Sequence, residues 1–518
     1  MSDKVYGIDL GTTYSAIALV NDGVLPNIVK NFLGDDTTAS VVYFNEDGTV
    51  VVGSQAKHVQ VSDPENACSL IKRHIGTEYL RKFRGQVHTP ESISALILKE
   101  LVSNANSQNG LDITKAVITV PAYFGIQERQ ATKQAGEIAG LEVVGIIPEP
   151  VAAAISLGTR QEEEQTFLIF DLGGGTFDTT ILNAKAGSVD VIAIDGNRLL
   201  GGADWDACLE SVYLEKFKAQ AGLGPDKDPS QDEEFMTELR LSVEEAKKML
   251  TKLNSWKLLL RYEDKKENVE VTREEFEAAA ADLVTQTIEI TKRVVGIAQK
   301  KVPGLTIDRL LLVGGSSRMP MIETALTDAG FAWERTDYDL SVAKGAAIYG
   351  QGEVPWTNDQ AVPARTVVTN VLSRGLGVQL VKKNNDGAWV EYIEFLAHAQ
   401  ERIPLDPPRV LEAQIIRDGQ QSVECPLFEQ EGNVESPDPK MNKPMASGVT
   451  TTISGLPPMN EGDPIQVHLE VSDEGIATLV VIEPSTGSSF RAEAAVAVLS
   501  NDEQQMYTEQ VAEITTSS

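Results

Sequence analysis

The stretch Asp171-Leu172-Gly173-Gly174-Gly175-Thr176 repeats, with small changes, the earlier stretch Asp9-Leu10-Gly11-Thr12-Thr13. Each stretch follows an apolar run suited to a buried strand and continues into further strand-like sequence. Glycine in such a turn lets backbone N–H groups approach an anion closely, and the aspartate suits a magnesium ion or its waters. The repeat therefore predicts two strand–turn–strand units that together hold a nucleotide triphosphate by both ends.

A third glycine turn, Gly314-Gly315-Ser316-Ser317-Arg318, follows the apolar run Leu310-Leu311-Leu312-Val313. Nucleotides bind at the glycine turns where strands of α/β sheets end. The sequence contains no Walker A pattern, so the predicted phosphate site is not a P-loop.

Composition narrows the classes of protein that the chain can belong to. Its 518 residues are enough for about three domains. A net charge of −31 argues against general binding to nucleic acid or to anionic membranes. Three distant cysteines form no disulfide or zinc pattern, which fits a reducing cytosol. No apolar run reaches the length of a membrane span, and the start leaves no room for a signal peptide, so we expect a cytoplasmic protein.

The order of the predicted elements divides the chain into two parts. Strands and helices alternate up to about residue 352, with long helices predicted over 232–253 and 274–300. A polar, proline-bearing stretch then predicts a linker, so the first domain spans 1–357 and the linker 358–370.

Short strands with turn signals predict an antiparallel β domain over 371–498. Its strands are expected at 376–381, 389–395, 409–417 and 423–429. The last residues, 499–518, read as a short polar tail with one or two helical turns followed by disorder.

Together the motifs resemble the Hsp70 chaperone family from residue 3 to about residue 495. The residues that carry the resemblance lie at 7–15, 120–124, 147–154, 170–178, 200–202 and 313–318. The resemblance implies an α/β actin-like ATPase domain of two lobes around a nucleotide cleft, followed by an antiparallel β-sandwich that binds peptide. The short spacing between Lys72 and Ile93 resembles the Gram-positive form of the family, which implies a bacterial cytosolic protein.

The resemblance also implies roles for individual residues. Asp9 and Asp171 would hold a hydrated Mg²⁺, and the family admits K⁺ beside ATP or ADP. Lys72, Glu149, Thr176 and Asp178 would surround the γ-phosphate and the attacking water. The implied nucleotide contacts are Gly11, Thr12, Thr13, Tyr14, Gly173, Gly174, Gly175, Thr176, Gly201, Gly202, Glu244, Lys247, Lys248, Thr251, Gly314, Gly315, Ser316, Arg318 and Asp339. Pro121, Arg129 and Glu149 match the family's proline relay, which signals the presence of ATP outward.

Simpler interpretations of these residues stay open. Lys72 by itself reads as a solvated surface lysine. Glu244, Lys247 and Lys248 by themselves read as the charged face of a helix, and Lys248 stands where the family more often has arginine. The five histidines show no spacing typical of metal ligands.

The sequence departs from the family in its linker, its co-chaperone contacts and its C-terminus. In the linker ending, Thr366-Val367-Val368-Thr369-Asn370, threonine replaces aliphatic residues, which should weaken docking by ~1–3 kcal/mol. Gly145 and Pro148 replace an arginine and an asparagine that contact J-proteins, which puts a J-protein partner in doubt. The helical lid is absent after the β domain, so we expect a lidless member that releases peptide quickly.

The favoured function is an ATP-hydrolysing chaperone that holds extended apolar segments of unfolded polypeptide, with a nucleotide-exchange factor as a further partner. Ile393, Leu411 and Val423 are the candidate groove residues, although ordinary sandwich core explains them equally well. The alternative is a nucleotide-regulated scaffold with weak coupling between its domains. An actin-like filament or a sugar kinase explains the cleft but not the β domain.

Overall fold

A computed structural model describes residues 4–21, 25–158, 163–224, 226–337, 340–353, 366–432, 434–445, 452–473, 475–484, 488–492 and 498–517. None of the described helices is long and apolar enough to cross a membrane.

The first lobe is built from residues 4–158. Its strands are β1 (Val5–Asp9), β2 (Tyr14–Val20), β3 (Pro26–Ile28), β4 (Thr38–Ala39), β5 (Val42–Phe44), β6 (Val50–Val52), β7 (Ala67–Cys68), β8 (Arg81–Phe83), β9 (Gln86–His88), β10 (Lys115–Val120) and β11 (Glu142–Pro148). Its helices are α1 (Ser54–Val59), α2 (Pro90–Asn109), α3 (Ile126–Ile138) and α4 (Glu149–Gly158).

The second lobe follows, from residue 165 to residue 353. Its strands are β12 (Gln165–Leu172), β13 (Phe177–Lys185), β14 (Ser188–Asn197), β15 (Ser255–Tyr262), β16 (Lys265–Thr272), β17 (Arg309–Val313) and β18 (Trp333–Arg335). Its helices are α5 (Gly202–Ala221), α6 (Glu233–Leu250), α7 (Arg273–Ala279), α8 (Ala281–Lys301), α9 (Pro320–Asp328) and α10 (Ser341–Glu353).

The β domain and the C-terminal segment complete the described chain. The strands are β19 (Val367–Val371), β20 (Leu376–Lys383), β21 (Trp389–Ala397), β22 (Arg402–Ile403), β23 (Arg409–Gln414), β24 (Gln420–Glu424), β25 (Leu427–Gln430), β26 (Asn442–Pro444), β27 (Thr452–Met459), β28 (Pro464–Val471), β29 (Ala477–Glu483), β30 (Ser488–Ala492) and β31 (Thr516–Ser517). One helix, α11 (Asn501–Glu513), lies between β30 and β31 in the described sequence.

The two lobes repeat one strand pattern. The main sheet of the first lobe has the order β11-β10-β1-β2-β3, in which β11, β10 and β1 are parallel and β1, β2 and β3 are antiparallel. The second lobe has the corresponding order β18-β17-β12-β13-β14 with the same directions. The hairpins β1–β2 and β12–β13 are therefore equivalent, as the repeated sequence stretches predict.

Helices α4 and α10 join the lobes at the base of the cleft. Val5 and Val117 from the first sheet share an apolar core with Phe167 and Leu311 from the second sheet. The packing is close, since a Cβ at Gly7 would lie 2.1 Å from the backbone nitrogen of Ala347. The two glycine-bearing sheets are thereby joined through α4 and α10 and one shared apolar core.

Two long helices were expected in the second lobe, and one of them is interrupted. Helix α6 begins after Asp232, whose side chain accepts the Phe235 N–H, and it buries the predicted face that includes Leu239 and Val243. The stretch expected as one helix over 274–300 forms α7 and α8. It breaks at Ala280, whose backbone leaves the helical region at φ −99° and ψ 5°.

The β domain lies against both lobes. The sheets β21-β20-β25-β26 and β23-β28-β29-β30 enclose a shared apolar core, with β24 and β27 paired separately. Its entry strand β19 pairs in parallel with β14 and antiparallel with β22, and these two strands extend the second-lobe sheet to seven strands. The last four residues of the predicted linker, 367–370, thus belong to strand β19, whereas residues 354–365 lie outside the described chain and the boundary at 357 stays a prediction.

Residues 498–517 are ordered, so the prediction of one or two helical turns followed by disorder is wrong for them. Helix α11 buries Tyr507 and Val511 in the core of the first lobe, together with Ile514. Lys99 of α2 donates hydrogen bonds to the carbonyls of Val511 and Ile514, at 2.7 and 2.8 Å. Strand β31 then pairs in parallel with β6. Burial of the stripe at 507, 511 and 514 fixes a helix whose remaining surface is polar.

Candidate nucleotide site

A cavity of about 480 Å³ opens between the lobes, where the two repeated hairpins face each other. Most of the predicted nucleotide and metal residues line it. They are Asp9, Gly11, Thr12, Thr13, Tyr14, Lys72, Glu149, Asp171, Gly173, Gly174, Thr176, Glu244, Lys247, Lys248, Thr251, Gly314, Gly315, Ser316 and Arg318. Asp339 lies outside the described residues.

The glycine turns of the two hairpins touch each other directly. A Cβ at Gly174 would lie 2.2 Å from Thr13 Oγ1, and one at Gly175 would lie 2.4 Å from Thr12 Cγ2. Gly201 packs on the backbone of Gly175, since a Cβ at Gly201 would lie 2.5 Å from the carbonyl carbon of Gly175. Because only glycine permits these approaches, the backbone of one turn packs directly against the threonines of the other.

Glycine is also required at the third turn. Gly314 has φ +77°, a left-handed conformation, and a Cβ there would lie 2.6 Å from Asp171 Oδ1. The turn follows β17, which pairs in parallel with β12 and brings Val313 beside Asp171. The third glycine motif therefore joins the other two at one site, as the sequence predicts.

The floor of the cavity concentrates carboxylates around one lysine. Lys72 Nζ lies 2.7 Å from Glu149 Oε1, and both side chains are buried. Asp178 is 2% exposed and accepts the backbone N–H of Tyr123 at 2.8 Å. Thr119 Oγ1 donates to Asp9 at 3.2 Å. Lys72 is thus a buried partner of the acidic cluster rather than a surface lysine.

Two carboxyls of this acidic cluster, Asp171 and Asp178, have raised pKa values. Burial, and then the charge of Glu149, raise the pKa of Asp178 to about 7. Burial and the neighbouring carboxylates Glu149, Asp178 and Asp9 raise the pKa of Asp171 well above its ordinary value. Excess negative charge of this kind is relieved when a cation enters.

The chemistry of this donor set fits a hydrated magnesium ion. Asp9 and Asp171 stand at equivalent points of the two hairpins, and oxygen ligands suit Mg²⁺, which keeps several of its waters. No group of three or more His, Cys, Asp or Glu side chains within the described ranges has the geometry to hold a metal directly. Asp9 and Asp171 would hold such an ion together with its waters.

A second polar group crosses the mouth of the cavity. Tyr14 and Lys57 of the first lobe meet Glu244 and Lys248 of α6, with Tyr14 Oη donating to Glu244 Oε1 at 2.8 Å. Lys248 Nζ lies 2.9 Å from Glu244 Oε1. Burial would raise the pKa of Glu244, but the charges of Lys57 and Lys248 outweigh burial and lower it to about 2. The Tyr14 side chain thus belongs to this group, apart from the glycine turns.

Lys247 links α6 to a glycine turn. Its Nζ donates to the carbonyl of Gly202 at 2.9 Å and pairs with Asp206 at 2.8 Å. Asp206 was missed in the sequence because it belongs to no quoted motif. Arg73 was missed as well, although it follows Lys72 directly. Its guanidinium crosses the cleft to the Gly175 carbonyl at 3.1 Å and to Asp204 at 2.6 Å.

The residues of the predicted relay lie between the cavity and the β domain. Val120 pairs with Pro148 in register, which places Pro121 and Glu149 next to each other at the strand ends. Arg129 of α3 donates to the carbonyls of Phe124 and Ala122, at 3.1 and 3.3 Å. Burial lowers the pKa of Arg129 to about 10. The relay role itself stays a prediction.

The three candidate groove residues do not form one exposed surface. Ile393 on β21 is 2% exposed and offers no surface to a peptide in this structure. Leu411 and Val423 are half-buried and pack against the core of the β domain. For Ile393 the simpler interpretation, ordinary core, is the one that the structure supports.

Two lobes with the same strand pattern, closed around a glycine-lined cavity, fit the actin-like ATPase fold. Among known families, the model described as Hsp70 protein matches residues 5–84 and 80–516. The chain therefore belongs to the Hsp70 family, whose members are ATPases and bind unfolded polypeptides.

Proposed function

We propose that this protein hydrolyses ATP in the cavity between its lobes and works as an Hsp70-type chaperone. The observation that carries the proposal is the meeting of the two hairpin turns beside the buried pair of Lys72 and Glu149. Phosphoryl transfer to water needs positioning and neutralisation of charge more than covalent chemistry. The backbone amides of the touching turns and the lysine ammonium supply both requirements.

Residues at different positions in the cavity have different roles in this proposal. The turns at 11–13 and 173–176 bind the phosphate oxygens, and Thr176 orients the γ-phosphate. Glu149 fixes Lys72 in place, so that the ammonium faces the transferred group and the attacking water. Water attacks the γ-phosphorus, the bond to the β-phosphate oxygen breaks, and ADP, phosphate and a proton leave. The group formed by Tyr14, Lys57, Glu244 and Lys248 closes the adenosine side.

Magnesium, when bound through Asp9 and Asp171, would neutralise the phosphate charges that repel an incoming nucleophile. Asp178, whose pKa of about 7 is raised by burial and by Glu149, is suited to accept the proton of the water at neutral pH.

For the β domain we propose an antiparallel β-sandwich that holds extended apolar polypeptide. Its two four-stranded sheets around one core support this role. Strand addition and side-chain pockets are the means by which such domains bind extended segments.

ATP turnover by the purified chain, with and without EDTA, tests the first half of the proposal. We expect magnesium-dependent hydrolysis that falls by at least about a hundredfold in Lys72→Ala and in Thr176→Ala, as when a transition-state contact is lost. Lys82→Ala, which alters an exposed lysine of the same lobe, is the matched control. Wild-type rates in both cleft variants would show that the site is assigned wrongly.

Release of a fluorescent apolar peptide, with and without ATP, tests the second half. Release accelerated by ATP is the expected result for a chaperone. Hydrolysis without any peptide binding would instead identify the chain as a nucleotide-regulated scaffold.

A further inference from the structure

Helix α3 begins without a capping side chain of its own. Its N-cap residue is Gly125, and the first helical residue is Ile126. The first N–H groups of a helix have no partner within the helix, so a side-chain oxygen from the N-cap position normally satisfies one of them. Gly125 has no side chain and cannot do so. Helix α3 also carries Arg129 and starts only a few residues after Pro121.

The missing acceptor comes from the β domain. Glu429 of β25 reaches α3, and its Oε1 accepts the backbone N–H of Ile126 at 3.2 Å. Residues 126 and 429 are 303 positions apart in the chain. A carboxylate at this place also lies at the positive end of the helix dipole.

Gly125 has the shape that this contact needs. A Cβ at residue 125 would lie 2.1 Å from Glu429 Oε1 and 2.4 Å from Oε2. The space that a side chain would fill is therefore occupied by the carboxylate of the other domain. Any larger residue at 125 has to displace Glu429.

The carboxylate is built into a buried charged group. Glu429 is 1% exposed and pairs with Arg374 at 3.2 Å, and Arg374 is itself 6% exposed. The Ile126 side chain belongs to the apolar core of the β domain, so backbone and side chain of this residue are both held by that domain.

The segment in front of α3 connects this contact to the cavity. The Arg374 guanidinium lies over the Tyr123 ring, 5.0 Å from its centroid, and Ser373 Oγ donates to the Phe124 carbonyl at 3.2 Å. The N–H of Tyr123 in turn donates to Asp178 Oδ1 at 2.8 Å. Residues 123–126 thus form a short bridge with the β domain on one side and, on the other, Asp178, a buried neighbour of the cavity carboxylates Glu149 and Asp171.

We infer that Glu429 is a positioning residue, which caps α3 from the β domain and so fixes the segment that holds Asp178. Separation of the β domain from the first lobe then uncaps α3 as well. The catalytic consequence rests on the proposed ATPase function, whereas the capping itself does not.

Hydrogen exchange at residues 124–130 of the full chain tests the capping. In Glu429→Ala we expect exchange at the Ile126 amide to rise about two- to thirtyfold, the range for loss of an N-cap. Gly125→Ala should act in the same direction, because its methyl group displaces the carboxylate. Glu431→Ala, an exposed glutamate two residues further on, should leave exchange unchanged.

A rescue variant separates capping from general packing. In Gly125→Ser/Glu429→Ala the serine has room and can cap α3 from within its own chain. We expect exchange at Ile126 to return to within about threefold of wild type, since serine is a good N-cap. If Glu429→Ala fails to fold, exchange can still be measured in Gly125→Ala. It can also be measured in Glu429→Gln, which keeps the side-chain volume and one of the two side-chain oxygens.

The rate of ATP hydrolysis is the second measurement. We expect Glu429→Ala to lower kcat for ATP with KM nearly unchanged, because Glu429 does not line the cavity, and the serine variant to restore kcat. Unchanged exchange and kcat in Glu429→Ala would overturn the inference, as would faster exchange and lower kcat that the serine variant fails to restore. If the wild type does not hydrolyse ATP, the proposed function fails while the exchange measurements still decide the capping.

Discussion

Replacing Asp178 with asparagine should remove a pH dependence of folding stability that the buried carboxyl creates. Asp178 is 2% exposed, and its Oδ1 accepts the Tyr123 N–H at 2.8 Å. Burial, and then the charge of Glu149, raise its pKa from the ordinary 3.8 to about 7. Asparagine keeps the size and the accepting oxygen but does not titrate.

The sign follows from the order of the two pKa values. The folded pKa lies above the unfolded one, so the folded state binds the proton more tightly. The stability that this binding provides is complete below about pH 4 and is lost as the pH rises through 7. Between pH 5 and pH 7 the loss spans two pH units at about 1.4 kcal/mol each, which gives roughly 3 kcal/mol.

Urea unfolding of the nucleotide-free protein in EDTA, at intervals from pH 5 to pH 8, measures this effect. The free energy of unfolding of the wild type should fall relative to Asp178→Asn by roughly 3 kcal/mol over that range, with the change complete near pH 8. Asp112→Asn, an exposed aspartate of the first lobe, is the matched control and should run parallel to the wild type.

A constant difference between wild type and Asp178→Asn from pH 5 to pH 8 would refute the reasoning. It would mean that the carboxyl is ionised in the folded protein throughout this range. Glu149 would then fail to act on Asp178 in the way that the buried geometry requires.

Three further predictions concern the cleft and the C-terminal helix. Glu244→Gln should weaken ADP binding about tenfold or more in calorimetry, since Lys57 and Lys248 lose a charged partner, whereas the exposed Glu245→Gln should not. Gly314→Ala should abolish nucleotide binding because its Cβ meets Asp171, whereas Gly330→Ala, at a similar φ of +85° with nothing within 4 Å, should retain it. Val511→Ala should cost ~1–3 kcal/mol and expose α11 to protease, unlike the exposed Glu509→Ala; equal protection of both variants would contradict the docking of α11.

The arrangement of the candidate nucleotide site could be predicted from the sequence because its parts are local. A strand, a glycine turn and a second strand are read within about fifteen residues, and the register of β1–β2 and β12–β13 then places Asp9 and Asp171 equivalently. The family resemblance supplied the distant residues Lys72 and Glu149, whose 2.7 Å contact no local pattern indicates.

Features that depend on contacts between distant segments were missed. The apolar stripe of Tyr507, Val511 and Ile514 has helical spacing, but it is short and its polar surroundings hid its docking on the first lobe. Nothing near Gly125 or Glu429 indicates that they meet, since the glycine reads as a loop residue and the glutamate as part of a strand. For Ile393 the sequence left groove and core open, because alternation in a strand does not tell which face is buried; the structure buries the side chain.

Strand β19 covers a surface of the second lobe that would be exposed without it. It lies beside β14 and is followed in the same sheet only by the two-residue strand β22. If β19 left, a row of backbone N–H and C=O groups along 188–190 would become an open sheet edge, which can pair with a strand from any other chain. The segment that joins the two domains therefore also covers part of an edge of the second-lobe sheet.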